Sequence, residues 1–178
     1  MSMFEKSALA AALIVAACCA RAADAPALGT PVTEADIAAW NIDISPDGTG
    51  LPPGAGTAAE GEKVFAGKCQ RCHGAGGAGK PNDQLVGGFG TLSTPDKPAV
   101  KTVGSFWPYA TTLFDYTRRA MPWDAPKSLS DAEVYAVTAF ILRENKIIGD
   151  GDVMDAASLP KVRMPNREGF VPFPRQPK

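Results

Sequence analysis

Residues 65–77 read FAGKCQRCHGAGG. This stretch sets Cys69 and Cys72 two residues apart and follows them at once with His73, the only histidine in 178 residues. The other two of the four cysteines, Cys18 and Cys19, lie in a leader-like N-terminus. Beyond that leader, one short turn uses every cysteine and histidine of the chain.

The leader has the parts of a secretory signal. Lys6 sits in a short n-region, SALAAALIVAACCA forms an apolar run of h-region length, and Ala20-Arg21-Ala22 offers small residues for cleavage. The run is short for a membrane span. The reading predicts a signal peptide at residues 1–22 and export to a periplasm. A second reading takes Val15-Ala16-Ala17-Cys18 as a lipobox, which would leave a lipid on Cys18. Only in that case is membrane anchoring expected.

Composition narrows the field. The length suits one domain with arms, and 18 glycines with 16 prolines favour loops over long helices. Removing Lys6, Arg21 and Glu5 with the leader takes 18 basic and 19 acidic residues to 16 and 18, a net charge of −2. No basic excess points to nucleic acid.

Cys-x-x-Cys has three common uses. A structural zinc site needs four ligands, and two Cys beside one His cannot enclose the ion. A thioredoxin-type redox pair needs a βαβ setting, and no strand pattern of any length is present. The third use is Cys-x-x-Cys-His as a c-type haem attachment turn. Two thiols add to the two porphyrin vinyl groups as thioethers, and two intervening residues span that edge. The next residue, His73, is then carried beneath the iron as proximal ligand. The reading predicts one covalent haem c on Cys69 and Cys72.

With no second histidine, the far side of the iron is left to methionine, another weak ligand, or none. Met121 follows the predicted middle helix and precedes Pro122, which lacks an N–H and restricts the loop. Met164 also precedes a proline but lies beyond the last helix, and Met154 follows GDGD. Met121 is the preferred candidate and Met164 the second. Met/His ligation raises the potential and fills both axial positions, which suits one-electron transfer.

Around the turn the chain is helical. TEADIAAWNI allows one or two helical turns with Thr33 as N-cap, inside a Pro- and Gly-rich arm at 23–56. Trp40, Ile42 and Ile44 favour docking of that arm over a free linker. TAAE, with Thr57 and Glu60, is a capping box opening a helix through Gly61, Val64, Phe65 and Lys68. Residues 74–104 read as loop. A middle helix is predicted from near Pro108, with Leu113, Tyr116 and Ala120 on one face. SDAE, with Ser130 and Glu133, is a second capping box, followed by Val134, Val137 and Ile141 at helical spacing and an end near Asn145. Residues 146–178 form a proline-rich C-terminal arm.

From Thr57 to about Asn145 the chain resembles a class I cytochrome c. The likeness rests on Gly61 and Phe65 four residues apart, CQRCH, a Gly-rich loop with KPNDQLVGG, RRAMP, and VTAFIL in the last helix. It implies an all-α fold with a cytochrome domain at 57–145, in which first and last helices cross at Gly61 and Phe65 packs near Val137 and Phe140. It implies that the Pro81 carbonyl accepts the proximal imidazole N–H. It also implies that some of Trp107, Tyr109, Arg118 and Arg119 donate to the haem propionates, the other reading being that the arginines are solvated.

AWNIDISPDGTGLPPGAGT, TVGSFWPYATTLFDYTRRAMPW and LPKVRMPNREGFVP resemble cytochrome subunits of periplasmic sulfite and sulfane dehydrogenases. The sulfane dehydrogenase cytochromes usually carry two haem domains, whereas this chain has one motif. The resemblance implies a molybdenum dehydrogenase subunit as electron donor and a later cytochrome or oxidase as acceptor. The arms would either dock that donor or wrap the small domain. The chain itself is expected to carry electrons rather than perform substrate chemistry. The alternatives are a haem enzyme or a gas or redox sensor with an open or exchangeable sixth position.

Overall fold

Thr57 starts the first long helix in the way its sequence predicts. In the computed structural model, which describes residues 29–38, 40–94, 96 and 98–171, the Glu60 amide donates to Thr57 Oγ1 (3.3 Å) and the Thr57 amide to Glu60 Oε2 (2.8 Å). Ser130 and Glu133 repeat the exchange at 3.3 and 2.9 Å. Each box satisfies donors that a helix start leaves open. The predicted signal peptide and Cys18 lie outside the described residues.

The chain divides into two units, Met1–Asn41 and Ile42–Lys178. The described part of the first holds helix α1, Glu34–Ala38. Thr33 caps it, accepting from the Asp36 amide at 3.2 Å.

The second unit contains α2 (Ala58–Lys68), α3 (Gln70–His73), α4 (Ala110–Ala120) and α5 (Asp131–Glu144). Strand β1 (Ala55–Thr57) pairs antiparallel with β2 (Val153–Asp155), Gly56 opposite Met154. The fold is all-α apart from this one short ladder among the described residues. No strand was expected, because three-residue strands are too short to show a period of two. The middle helix begins at Ala110 rather than near Pro108, since Tyr109 is still extended at φ −137° and ψ 135°.

Helix α5 is the centre of the unit. Its residues from Val134 to Leu142 are all buried, as expected for a helix packed on several sides. It crosses α2 where Gly61 faces Ala136 and Phe140; a Cβ on Gly61 would overlap the Ala136 carbonyl and the Phe140 side chain. That approach brings the Phe65 and Phe140 rings to 4.9 Å between centroids, a contact of about 0.5–1.5 kcal/mol beyond the area it buries. On another side, the Phe114 ring of α4 meets Tyr135 at 4.4 Å.

Segments flanking the helices join the same core. Ile44 and Leu51 pack against it from the N-terminal side, and Met154, Leu159 and Met164 are buried in it from the C-terminal side. The Tyr135 hydroxyl donates to the Pro52 carbonyl at 2.9 Å, fixing the entry to β1. No described helix is long and apolar enough to cross a membrane.

Candidate functional site

The cysteine turn grows directly out of α2. The Cys69 amide continues the helix ladder to Phe65 O (2.9 Å), and Cys72 and His73 both donate back to Cys69 O (3.1 and 3.0 Å). Gly74, at φ 73°, then turns the chain; a Cβ there would overlap the Gly79 carbonyl. Past this turn the chain runs back along the motif, with Gly79 N donating to His73 O (2.7 Å) and Asn82 N to Cys72 O (2.8 Å).

This return sets the histidine ring. His73 Nδ1 lies 2.8 Å from the carbonyl oxygen of Asp83. A carbonyl can only accept, so the ring proton sits on Nδ1 and the lone pair on Nε2. The acceptor expected from family likeness was the Pro81 carbonyl. Pro81 does line the cavity, but the bond falls two residues later, because Asn82 is pinned to Cys72 and Asp83 is the next carbonyl along.

Cys69, Cys72, His73 and Met121 line one cavity of about 400 Å³, within the range of cofactor sites. Met121 caps α4, its amide bonded to Thr117 O at 3.1 Å, and turns extended at φ −116° and ψ 144°. Met154 and Met164 are core residues away from this cavity. Leu85, Val103, Leu113, Val137 and Ile141 supply apolar wall. Trp107 also lines the cavity and meets the Tyr116 ring edge-on at 5.8 Å.

The two thiols are free, not joined as a disulfide. Burial pushes the Cys69 thiol up to about 11, against the opposing pull of the Lys68 charge. The donor set fits a haem c. It provides two thiols at attachment spacing, a histidine with Nε2 free to donate, a methionine sulfur and apolar walls.

Three of the four residues among which propionate donors were sought have other partners. Arg118 Nε pairs with Asp131 at 2.9 Å. Arg119 binds both Asp115 oxygens at 2.6 and 2.7 Å and Asp43 at 2.9 Å. Tyr109 lies under the Arg167 guanidinium, 4.4 Å from ring centroid to cation. None of the three lines the cavity. The carboxylates that claim the arginines come from distant segments, apart from the Asp115 pair one helical turn away.

Other site residues escaped the sequence reading. Trp123, 78 % exposed, marks where the cavity meets solvent; its place directly after Met121-Pro122 was the available signal. Asp124 pairs with Arg71 at 2.5 Å, tying the Met121 loop to the cysteine turn. The hydrogen bond from Arg71 holds the Asp124 carboxyl below its usual range.

Comparison with known proteins agrees with this geometry. Residues 56–141 match the family described as cytochrome c oxidase, cbb3-type, subunit III. No curated protein sequence gives a match. Among solved structures, the chain is similar to one from the sulfane dehydrogenase SoxCD of Paracoccus pantotrophus. The identity is 40 %, the TM-score 0.77, and the match covers 84 % of this chain and 73 % of that one.

The chain belongs to the class I cytochrome c family. It is an electron-transfer haem protein, and membership implies a covalently bound haem c, whose iron supplies one-electron redox chemistry when bound.

Proposed function

We propose that this cytochrome works in a periplasm, accepts single electrons from a molybdenum sulfite dehydrogenase or a related sulfur-compound dehydrogenase, and passes them to a later cytochrome or oxidase. Cys69 and Cys72 hold one haem, while His73 and Met121 ligate the iron. The observation carrying this reading is the shared cavity of these four residues, with His73 Nδ1 fixed on the Asp83 carbonyl. The second support is likeness to a chain of a sulfane dehydrogenase. Export rests on the leader at residues 1–22.

The protein's part is to bind, orient and shield. The Asp83 carbonyl holds the ring proton on Nδ1 and directs the Nε2 lone pair outward from that bond. Phe65, Leu113 and Ile141 give the cavity apolar lining that disfavours water. Trp123, exposed at the cavity's edge, belongs to the face a redox partner would approach.

Purification from the native periplasm tests the partner. The same fraction is stained for covalent haem and assayed for molybdenum and for sulfite and sulfane oxidation. Joint elution of haem, molybdenum and activity is expected. Haem eluting alone, with the activity intact elsewhere and no reduction of the cytochrome on mixing, would contradict the assignment.

A further inference from the structure

Asn145 ends α5 and is 1 % exposed. Its side chain makes three hydrogen bonds. Nδ2 donates to Ile141 O (2.9 Å), one turn back, and to Leu85 O (3.2 Å); Oδ1 accepts from Gly87 N (2.9 Å). Two carbonyls face the amide nitrogen and one N–H faces the oxygen, so each side of the carboxamide meets its complement. The bond to Ile141 is a local cap. The other two reach a distant segment, residues 85–87.

That segment continues the one carrying the Asp83 carbonyl. It is fixed at three places: Asn82 N on Cys72 O (2.8 Å), Leu85 N and Val86 N on Gly77 O (2.9 and 3.2 Å), and Leu85 with Gly87 on Asn145. Asp83 lies between the first and the others. Gly104 completes the arrangement, since a Cβ there would overlap the Asn145 carboxamide and press on Phe89. Its glycine is the space in which the amide sits. An aspartate at 145 would set charge against two carbonyls, and a leucine would leave Leu85 O and Gly87 N without these partners.

We propose that Asn145 is a positioning residue for His73. By anchoring Leu85 and Gly87 it keeps the Asp83 carbonyl on Nδ1, and so sets how strongly the ring donates from Nε2. The inference rests on His73 being the iron ligand, as proposed above. A carbonyl on Nδ1–H makes the imidazole a stronger donor and favours the more positive, oxidised iron. Loosening the anchor therefore raises the potential.

The test uses haem-loaded, full-length protein with Asn145→Ala, Gly104→Ala and the double variant. Three quantities are measured: midpoint potential, the hyperfine-shifted proton resonances of the His73 ring, and exchange protection of the Gly87 amide. Both single variants are expected to lose Gly87 protection, move the ring resonances and raise the potential. The rise is up to about tenfold in the redox equilibrium constant, about 59 mV for one electron. The double variant should add little, because both changes act on one contact. Haem-loaded variants with lost Gly87 protection but wild-type potential and ring resonances would overturn this inference alone. So would Gly87 protection that neither variant disturbs. If Asn145→Ala does not accumulate, Gly104→Ala decides by the same readouts. A wild-type protein that takes up no haem would overturn the ligand assignment, and this inference with it.

Discussion

Gly61 of α2 lies so close to Ala136 of α5 that a methyl group on it would overlap the Ala136 carbonyl oxygen. The neighbour is backbone and cannot rotate away, so Gly61→Ala must push the helices apart. The Phe65–Phe140 contact one turn on is weakened with it. A loss of about 1–3 kcal/mol is expected, read as a lower urea midpoint. An unchanged midpoint would mean that the helices do not meet at this glycine.

Lys68 joins the end of α2 to the start of α5 by pairing with Glu133 at 2.7 Å. That hydrogen bond, with the Ser130 amide, holds the Glu133 carboxyl at about 2, below its ordinary 4.5. A carboxylate depressed by folding adds stability that is present above about 4.5 and lost as the pH falls towards 2. Glu133→Gln keeps a capping group but removes the charge. The variant should be less stable at pH 7 by under about 1 kcal/mol, because the pair is partly exposed. The gap to wild type should close as thermal melts are repeated at successively lower pH from about 4.5 downward. A gap independent of pH would contradict the pairing.

Thr138 is fully buried in α5, and its hydroxyl has no hydrogen-bond partner. An unpaired buried hydroxyl costs about 1–3 kcal/mol. Thr138→Val keeps the branched shape and removes that cost, so the melting temperature should rise, by about 2–4 °C for each kcal/mol regained. A fall would show that the hydroxyl is satisfied after all.

Arg118 and Arg119 are occupied by Asp131, Asp115 and Asp43. Arg118→Gln and Arg119→Gln should each lower stability by about 1 kcal/mol or less and leave the visible absorption spectrum of the haem-loaded protein unchanged. A shifted spectrum in either variant would return that arginine to the cofactor.

The starts of α2 and α5 were legible in the sequence because capping is local: Thr57 with Glu60, and Ser130 with Glu133, exchange bonds within four residues; the start of α4, which has no side-chain cap, was placed two residues early. The α2–α5 crossing was legible through Gly61 and Phe65, whose spacing matches a known family. Met121 was legible as a candidate because its position before Pro122 separates it from the other methionines, and it alone of the three candidates lines the cavity. The Asp83 carbonyl was not legible, since residue type does not encode where a backbone oxygen points. The fates of Arg118 and Arg119 depend on carboxylates from other segments, chiefly Asp131 and Asp43. Asn145 read only as a helix end, because its bonds to Leu85 and Gly87 exist only once the fold has brought them together.

A haem attached at Cys69 and Cys72 and held between His73 and Met121 leaves an optical mark. The most direct measurement is the optical spectrum of the exported protein, matured in a host that attaches haem, compared with Met121→Ala. The expected result is a covalent c-type haem spectrum with a weak far-red sulfur-to-iron band, and loss of that band in Met121→Ala with the covalent haem retained. A colourless wild-type protein, or a far-red band that persists in Met121→Ala, would contradict it.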